Sequence, residues 1–207
     1  MTHSLRCNCG KLKGTLKHTT AINRCVCYCA DCQAFARFLK REHDILDEIG
    51  GTSISQTIPK HINFLEGTEN LACVRLTETG LLRWYAACCN TPIGNTPPNF
   101  KLPFIGLIHN CLSTEPASLD ETFGPVQMNV SPQAAILRGR GSANGEPKPK
   151  PMGFLAGTLR VMGMVLRSRF DGSYKQNPFF VSATGAPIVT PKVLDRQELQ
   201  DVMFPLH

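Results

Sequence analysis

Aromatic side chains are scarce in this 207-residue chain: one Trp, three Tyr and 11 Phe make up 7% of it, too few for an extended base-stacking surface. Charged residues reach only 18% against 42% apolar, a balance that excludes disorder throughout. No stretch approaches the roughly 18 uninterrupted apolar residues that a membrane span needs. Residues Met1 to Cys7 contain no apolar segment of a secretory signal. The expected location is therefore cytoplasmic, or nuclear. In such a reducing compartment closely spaced cysteines bind metal more often than they pair as disulfides. Also missing are a phosphate-binding Gly-x-x-x-x-Gly-Lys loop, a His-Glu-x-x-His zinc helix and a Gly-x-Ser-x-Gly nucleophile turn. Gly139 to Gly145 mimics a dinucleotide loop, but its last gap is one residue too long and prolines follow where a helix must start.

What remains is one domain by length, able to bury roughly 70% of its unfolded surface without staples. The formal charge is +6, and it is unevenly placed. Arg138, Arg140, Lys148, Lys150, Arg160, Arg167 and Arg169 face a single acid, Glu146, whereas the rest of the chain is balanced. Residues 138–151 have the Gly, Ser and Pro content of a loop. From 152 to 170, Leu155, Leu159, Met162, Val165, Leu166 and Phe170 recur near the helical period.

Short β-type runs occupy residues 12–16, 23–29, 52–58, 62–65, 72–76 and 81–87, and Gly, Pro, Asn or Thr separates them. A helix is expected from Gln33 to Ile49. The fold class is mainly β in small antiparallel sheets, with that helix after the second cysteine cluster and one or two helices near the C-terminus, the first of them amphipathic. Residues 1–112 form a cysteine-bearing part. Residues 113–207 form an extension, with the basic loop 138–151 and the helix 152–170, expected to pack on the first part.

Nine of ten cysteines precede residue 90. Cys73 and Cys111 stand alone in apolar runs and read as small buried hydrophobes. Cys27, Cys29 and Cys32 differ: two thiols at i and i+2 of a strand share a face, and the turn after them swings the third onto the same centre. Three thiolates can bind zinc at about 2.3 Å. Cys25 shares that face but lies roughly 13 Å from Cys29 along an extended strand, so it is left out. Cys7, Cys9 and Cys89 suggest a second centre. Cys88 and Cys89 are neighbours, and in extended backbone their side chains point to opposite faces, so only one should easily join it.

Cys7 to Gly14, Cys27 to Cys32 and Arg83 to Pro92 together resemble the glutathione-dependent formaldehyde-activating enzyme family, which also includes centromere protein V. The resemblance covers roughly the first 95 residues in the family's order and spacing. It implies a zinc-containing β-tent fold, a structural zinc on the first and third segments, and a catalytic zinc on Cys27, Cys29 and Cys32 that handles a formaldehyde adduct of glutathione. Three departures stand out. Ala86 and Asn90 replace a cysteine and a glycine of the third segment, so the structural site keeps Cys7, Cys9 and Cys89 but lacks a ligand; either Cys88 replaces it or the site holds no zinc. Tyr28 stands where the family often has His. Everything from about Leu112 onwards lies outside the resemblance. One zinc is expected, and two if the first site is complete.

A zinc on three thiolates is a poor activator of water but a soft centre for an incoming thiol. Such a centre suits carbon–sulfur lyase chemistry on an adduct of glutathione, or of another small thiol, the activity that the resemblance implies. Candidates for proton transfer are thin: Asp31 lies inside the thiol loop, while Tyr28 reads as core. His3, His18, His43, His61 and His109 have no ligand-like spacing. Arg24, Arg37 and Arg83 are candidates for glutathione's carboxylates or for plain surface charge. The alternative function is a non-catalytic, zinc-stabilised module that uses its basic segment to bind nucleic acid, an acidic protein or an anionic membrane surface. On the opposite reading the 152–170 helix simply packs on the β core.

Overall fold

The computed structural model describes residues 2–17, 22–113, 117–135 and 152–204. The basic loop 138–151 and His18 lie outside the described residues. Alternating burial makes the first strands: β1 (Thr2–Arg6) buries Leu5, and β2 (Lys13–Lys17) buries Gly14 and Leu16. They pair antiparallel, β5 (Ile62–Glu66) adds to β2, and β10 (Leu112–Ser113) adds to β1, giving a four-stranded sheet.

An eight-stranded sheet faces it. Its strands are β3 (Asn23–Cys27), β4 (Thr52–Thr57), β6 (Leu71–Arg75), β7 (Leu82–Ala86), β8 (Thr91–Thr96), β9 (Ile105–Ile108), β11 (Met128–Val130) and β12 (Lys192–Val193), in the order β11-β3-β4-β9-β8-β7-β6-β12. Pairing is antiparallel except at its two edges, where β11 and β12 run parallel to β3 and β6. The fold is thus mainly β, with helices α1 (Ala30–Phe38), α2 (Glu42–Ile45), α3 (Leu119–Phe123), α4 (Phe154–Phe170) and α5 (Arg196–Met203). Residues from Leu112 onwards supply an edge strand to the small sheet and both edges of the large one. Among the described residues no helix is long and apolar enough to cross a membrane.

One core joins the two sheets around Leu5, Leu12, Leu16, Trp84 and Phe179. Trp84 is fully buried, and its indole N–H donates to Thr96 Oγ1 at 2.9 Å, so its one polar atom is satisfied. On the other face of the large sheet, Phe35 and Leu39 pack with Val74, Leu76 and Ile108, and α5 adds Leu199 and Val202.

The single helix expected from Gln33 to Ile49 is two pieces. It starts earlier, with Cys29 at the N-cap, and stops where Lys40 takes a left-handed φ of 55°. α2 is only the short turn that follows.

Candidate metal centres

β3 ends at Cys27, and Cys29 begins α1 with extended backbone (φ −63°, ψ 150°). Strand, bend and helix start therefore deliver three thiols to one point. Cys27 Sγ lies 3.3 Å from Cys29 Sγ and 3.6 Å from Cys32 Sγ. All three sulfurs fall within 4.8 Å of one another, an arrangement that could hold a metal ion. Tetrahedral bonds of about 2.3 Å would set sulfurs about 3.8 Å apart, so the set fits zinc with a small adjustment. No other His, Cys, Asp or Glu among the described residues joins this group. Cys25 is buried beside it, among Cys27, Ile54 and Met128, and burial pushes its thiol up to about 12.

Within the trio the anionic sulfur is centred on Cys29, while at Cys32 the lowering hydrogen bond with Cys27 is outweighed by the hydrogen bond with Cys29 and by burial, which leave the thiol raised to about 11. Hydrogen bonds from Cys27 and Cys32, helped by the Cys32 backbone N–H and by Arg83, hold the Cys29 thiol far below its usual range. Cys27 is pushed up by the same hydrogen bonds, then by burial. A helix N-terminus next to a cation is an environment that favours thiolate. Arg83 supplies the cation from β7. It is buried, its Nη2 lies 3.3 Å from Asp31 Oδ2 and its Nη1 donates to Asn95 Oδ1 at 3.3 Å. Asp31 is half exposed. Gln33 fastens the bend by donating to the Tyr28 carbonyl at 2.8 Å.

A second group joins the sheets. Residues 7–12 form a tight turn, with the Cys7 N–H on the Leu12 carbonyl at 3.0 Å, the Gly10 N–H on the Cys7 carbonyl at 2.9 Å, and Gly10 at φ 76°. The Leu12 N–H donates to Cys7 Sγ at 3.2 Å. From the large sheet, the β7–β8 turn brings both Cys88 and Cys89. Cys9 Sγ is 3.5 Å from Cys7 Sγ and 3.3 Å from Cys88 Sγ, while Cys88 and Cys89 sulfurs are 3.8 Å apart. Four sulfurs thus lie within 4.8 Å of one another, Cys88 among them.

The expectation that neighbours cannot both face one centre assumed extended backbone. Residues 87–90 are instead a turn, closed by Asn90 at φ 53°, and a turn does not alternate its side chains. Ala86 is fully buried and pairs with Thr91 in the β7–β8 ladder. Thr91, which carried no signal in the sequence, accepts the Asn8 N–H at 3.0 Å and meets Cys89 Sγ at 3.1 Å. Burial works to raise Cys89, but the contacts with Thr91 and Cys9 outweigh it and hold the thiol down at about 6.

The remaining candidates are committed elsewhere. Arg24 projects on the opposite face of β3 from Cys25 and Cys27 and is buried against Asp120 and the Gly124 carbonyl. Arg37 donates to the Val202 carbonyl at 2.8 Å, tying α1 to α5. Tyr28, Cys73 and Cys111 are buried. His3 packs edge-on to Phe123, His61 bonds Thr57 Oγ1 at 2.9 Å, His43 is exposed and His109 is half-buried. None of these histidines belongs to either thiol group. Asn95, which holds Arg83, was invisible as a site residue because only the β7–β8 register places it there.

The model of DUF6151, a family of unknown function, matches residues 2–189. No curated protein matches the chain. A crystal structure of a Rhodobacter sphaeroides protein, a structural-genomics target, aligns with a TM-score of 0.39 and 15% identity over 63% of this chain and 100% of that one.

Proposed function

This chain belongs to DUF6151, a family of unknown function, and from its thiol geometry we propose a zinc protein whose two centres have different tasks. The four-cysteine group is structural. The three-cysteine group takes a small thiol such as glutathione, and the reaction is carbon–sulfur lyase chemistry on its aldehyde adduct. One observation carries this: among the described residues the trio gathers three ligands and no fourth, whereas the other group gathers four. Closed sites are structural and open ones reactive. The resemblance of Cys27 to Cys32 to the formaldehyde-activating enzymes supports the same reading.

When bound, zinc would supply a soft centre that takes up a thiol and stabilises its anionic sulfur. Cys27, Cys29 and Cys32 would hold it, with no fourth protein ligand among the described residues. Cleavage of a hydroxymethyl adduct breaks its C–S bond, the electron pair stays on sulfur, and the hydroxyl proton departs as the carbonyl forms. Asp31 is the candidate acceptor of that proton, since Arg83 fixes one carboxylate oxygen while the side chain stays half exposed. Arg83 and Asn95 position Asp31, and the Arg83 charge offsets that of the thiolates.

Zinc content per chain, in wild type and Cys29→Ser, with and without glutathione, tests this. Two zinc ions in wild type should fall to one in Cys29→Ser. Glutathione should then alter the visible spectrum of cobalt-substituted wild type. Unchanged metal content in Cys29→Ser would remove the trio as a centre, and an unchanged cobalt spectrum would remove the thiol.

A further inference from the structure

Helix α4 is apolar on two opposite sides, and among the described residues only one packs against the rest of the fold. Gly157, Val165 and Ser168 are buried, and at Gly157 an added Cβ would stand 2.6 Å from Met128 Sδ. That side docks on the large sheet. The other side carries Leu155, Leu159, Met162, Leu166 and Phe170 at i, i+4, i+7, i+11 and i+15, all between 48% and 87% exposed. At about 1.5 Å per residue the stripe runs about 22 Å along the helix. Packing of this apolar stripe on the β core, the commoner fate of such a helix, is therefore not what happens here. An apolar cleft of about 260 Å³ opens beside Met162, floored by Met128 and Phe104.

Charge selects the occupant. Residues 154–170 contain no acid. Arg160 and Arg167 flank the stripe on one side and Arg169 on the other, all exposed. Arg160 reaches Gln127 and Arg169 lies over the Tyr174 ring at 5.0 Å, so two of the three guanidiniums are steadied beside the stripe. Two copies packed stripe to stripe would bring these arginines together with no acid on either helix to answer them. A surface of anionic headgroups over acyl chains answers both features, because the stripe enters the apolar layer and the arginines stay at the phosphates. The sequence just ahead of the helix, with Arg138, Arg140, Lys148 and Lys150 against Glu146, has the same sign.

We propose that α4 is a membrane-surface helix that docks this protein, lying in the plane, on anionic lipid. The test is flotation of the metal-loaded chain with vesicles of phosphatidylserine and phosphatidylcholine, against phosphatidylcholine alone. Wild type floats with the anionic vesicles at low salt, and Leu159→Asp/Leu166→Asp lowers that binding by about tenfold or more. Arg160→Gln/Arg167→Gln weakens only the phosphatidylserine-dependent part. Both sites are solvent-facing, so metal content and melting temperature of the variants stay at wild-type values. Wild type that floats with neither vesicle, or a Leu159→Asp/Leu166→Asp protein that floats like wild type, overturns the proposal. So does a wild-type dimer without lipid that the Leu159→Asp/Leu166→Asp pair splits, since the stripe would then belong to a second copy.

Discussion

Arg83 is a buried cation whose charge acts on two of the trio's three thiols. It favours thiolate at Cys29 and Cys32, a smaller effect than the hydrogen bonds among the thiols, which with burial leave Cys32 raised to about 11. Metal binding must displace any proton that remains on these sulfurs. Arg83→Met therefore moves the midpoint of metal loading at the trio to higher pH, read as the cobalt–thiolate absorption against pH. An unmoved midpoint would mean that the hydrogen bonds among the thiols and the helix terminus set the thiolates without Arg83. Stability should also fall by about 2 kcal/mol, because Asn95 Oδ1 loses its donor inside the sheet while the half-exposed Asp31 turns to water. His109 makes a second pH-dependent case. Burial lowers it from 6.5, and its Nδ1 has no hydrogen-bond partner among the described residues. Below 6.5 the unfolded chain takes a proton that the folded chain refuses, so its contribution is complete above 6.5 and is lost as pH falls toward the folded value. His109→Gln should flatten the urea-denaturation stability over that window. A profile as steep as that of wild type would place the dependence on another group.

At the level of elements, the break between α1 and α2 rests on Lys40, an exposed residue held at φ 55°. A left-handed residue just past a helix end is a place for glycine, where a β-carbon costs about 1 kcal/mol. Lys40→Gly is expected to stabilise the chain by about 1 kcal/mol in chemical denaturation; a loss would mean that Lys40 makes a contact worth more than its strain. This break also marks the limit of reading elements from residue types. A lysine carries no stop signal, so the periodicity of Phe35, Phe38, Ile45 and Leu46 ran through it as one helix. β8 lies outside the runs expected from the sequence, and it carries Pro92 and Gly94, residue types that disfavour a strand interior. Pro92 sits at the register shift opposite Tyr85, where the ladder is already irregular. Gly94 is required because a Cβ there would stand 2.7 Å from the Gly106 carbonyl. The trio was legible because Cys27, Cys29 and Cys32 are local in sequence, and strand period plus one bend brings them together. Cys88 was legible only as a possible replacement ligand, and its joining the group together with Cys89 was not, since that depends on a turn that ends at a left-handed Asn90.

On the scale of the whole molecule, the two thiol groups close loops of very different length. The trio spans five residues on one face of the large sheet. The four-cysteine group joins the β1–β2 turn of the small sheet to the β7–β8 turn of the large one, and Cys7 and Cys88 are 81 residues apart. A link across the longer loop removes more freedom from the unfolded chain, by about 2.5 kcal/mol on the (3/2)RT ln n scaling. Cys88→Ala/Cys89→Ala should thus destabilise the metal-loaded protein by about 2.5 kcal/mol more than Cys29→Ala/Cys32→Ala, measured by urea denaturation. The metal-free forms of the same variants separate the cross-link from local packing: with the metal stripped, the difference between the pairs should largely vanish. If it persists, the Cys88–Cys89 turn stabilises the sheets by its own contacts with Thr91 and the buried Cys7. If instead the loaded pairs lose equal stability, the four-cysteine group does not staple the sheets. The two centres would then be alike in kind, and the division of labour between a structural and a reactive site would fail with them.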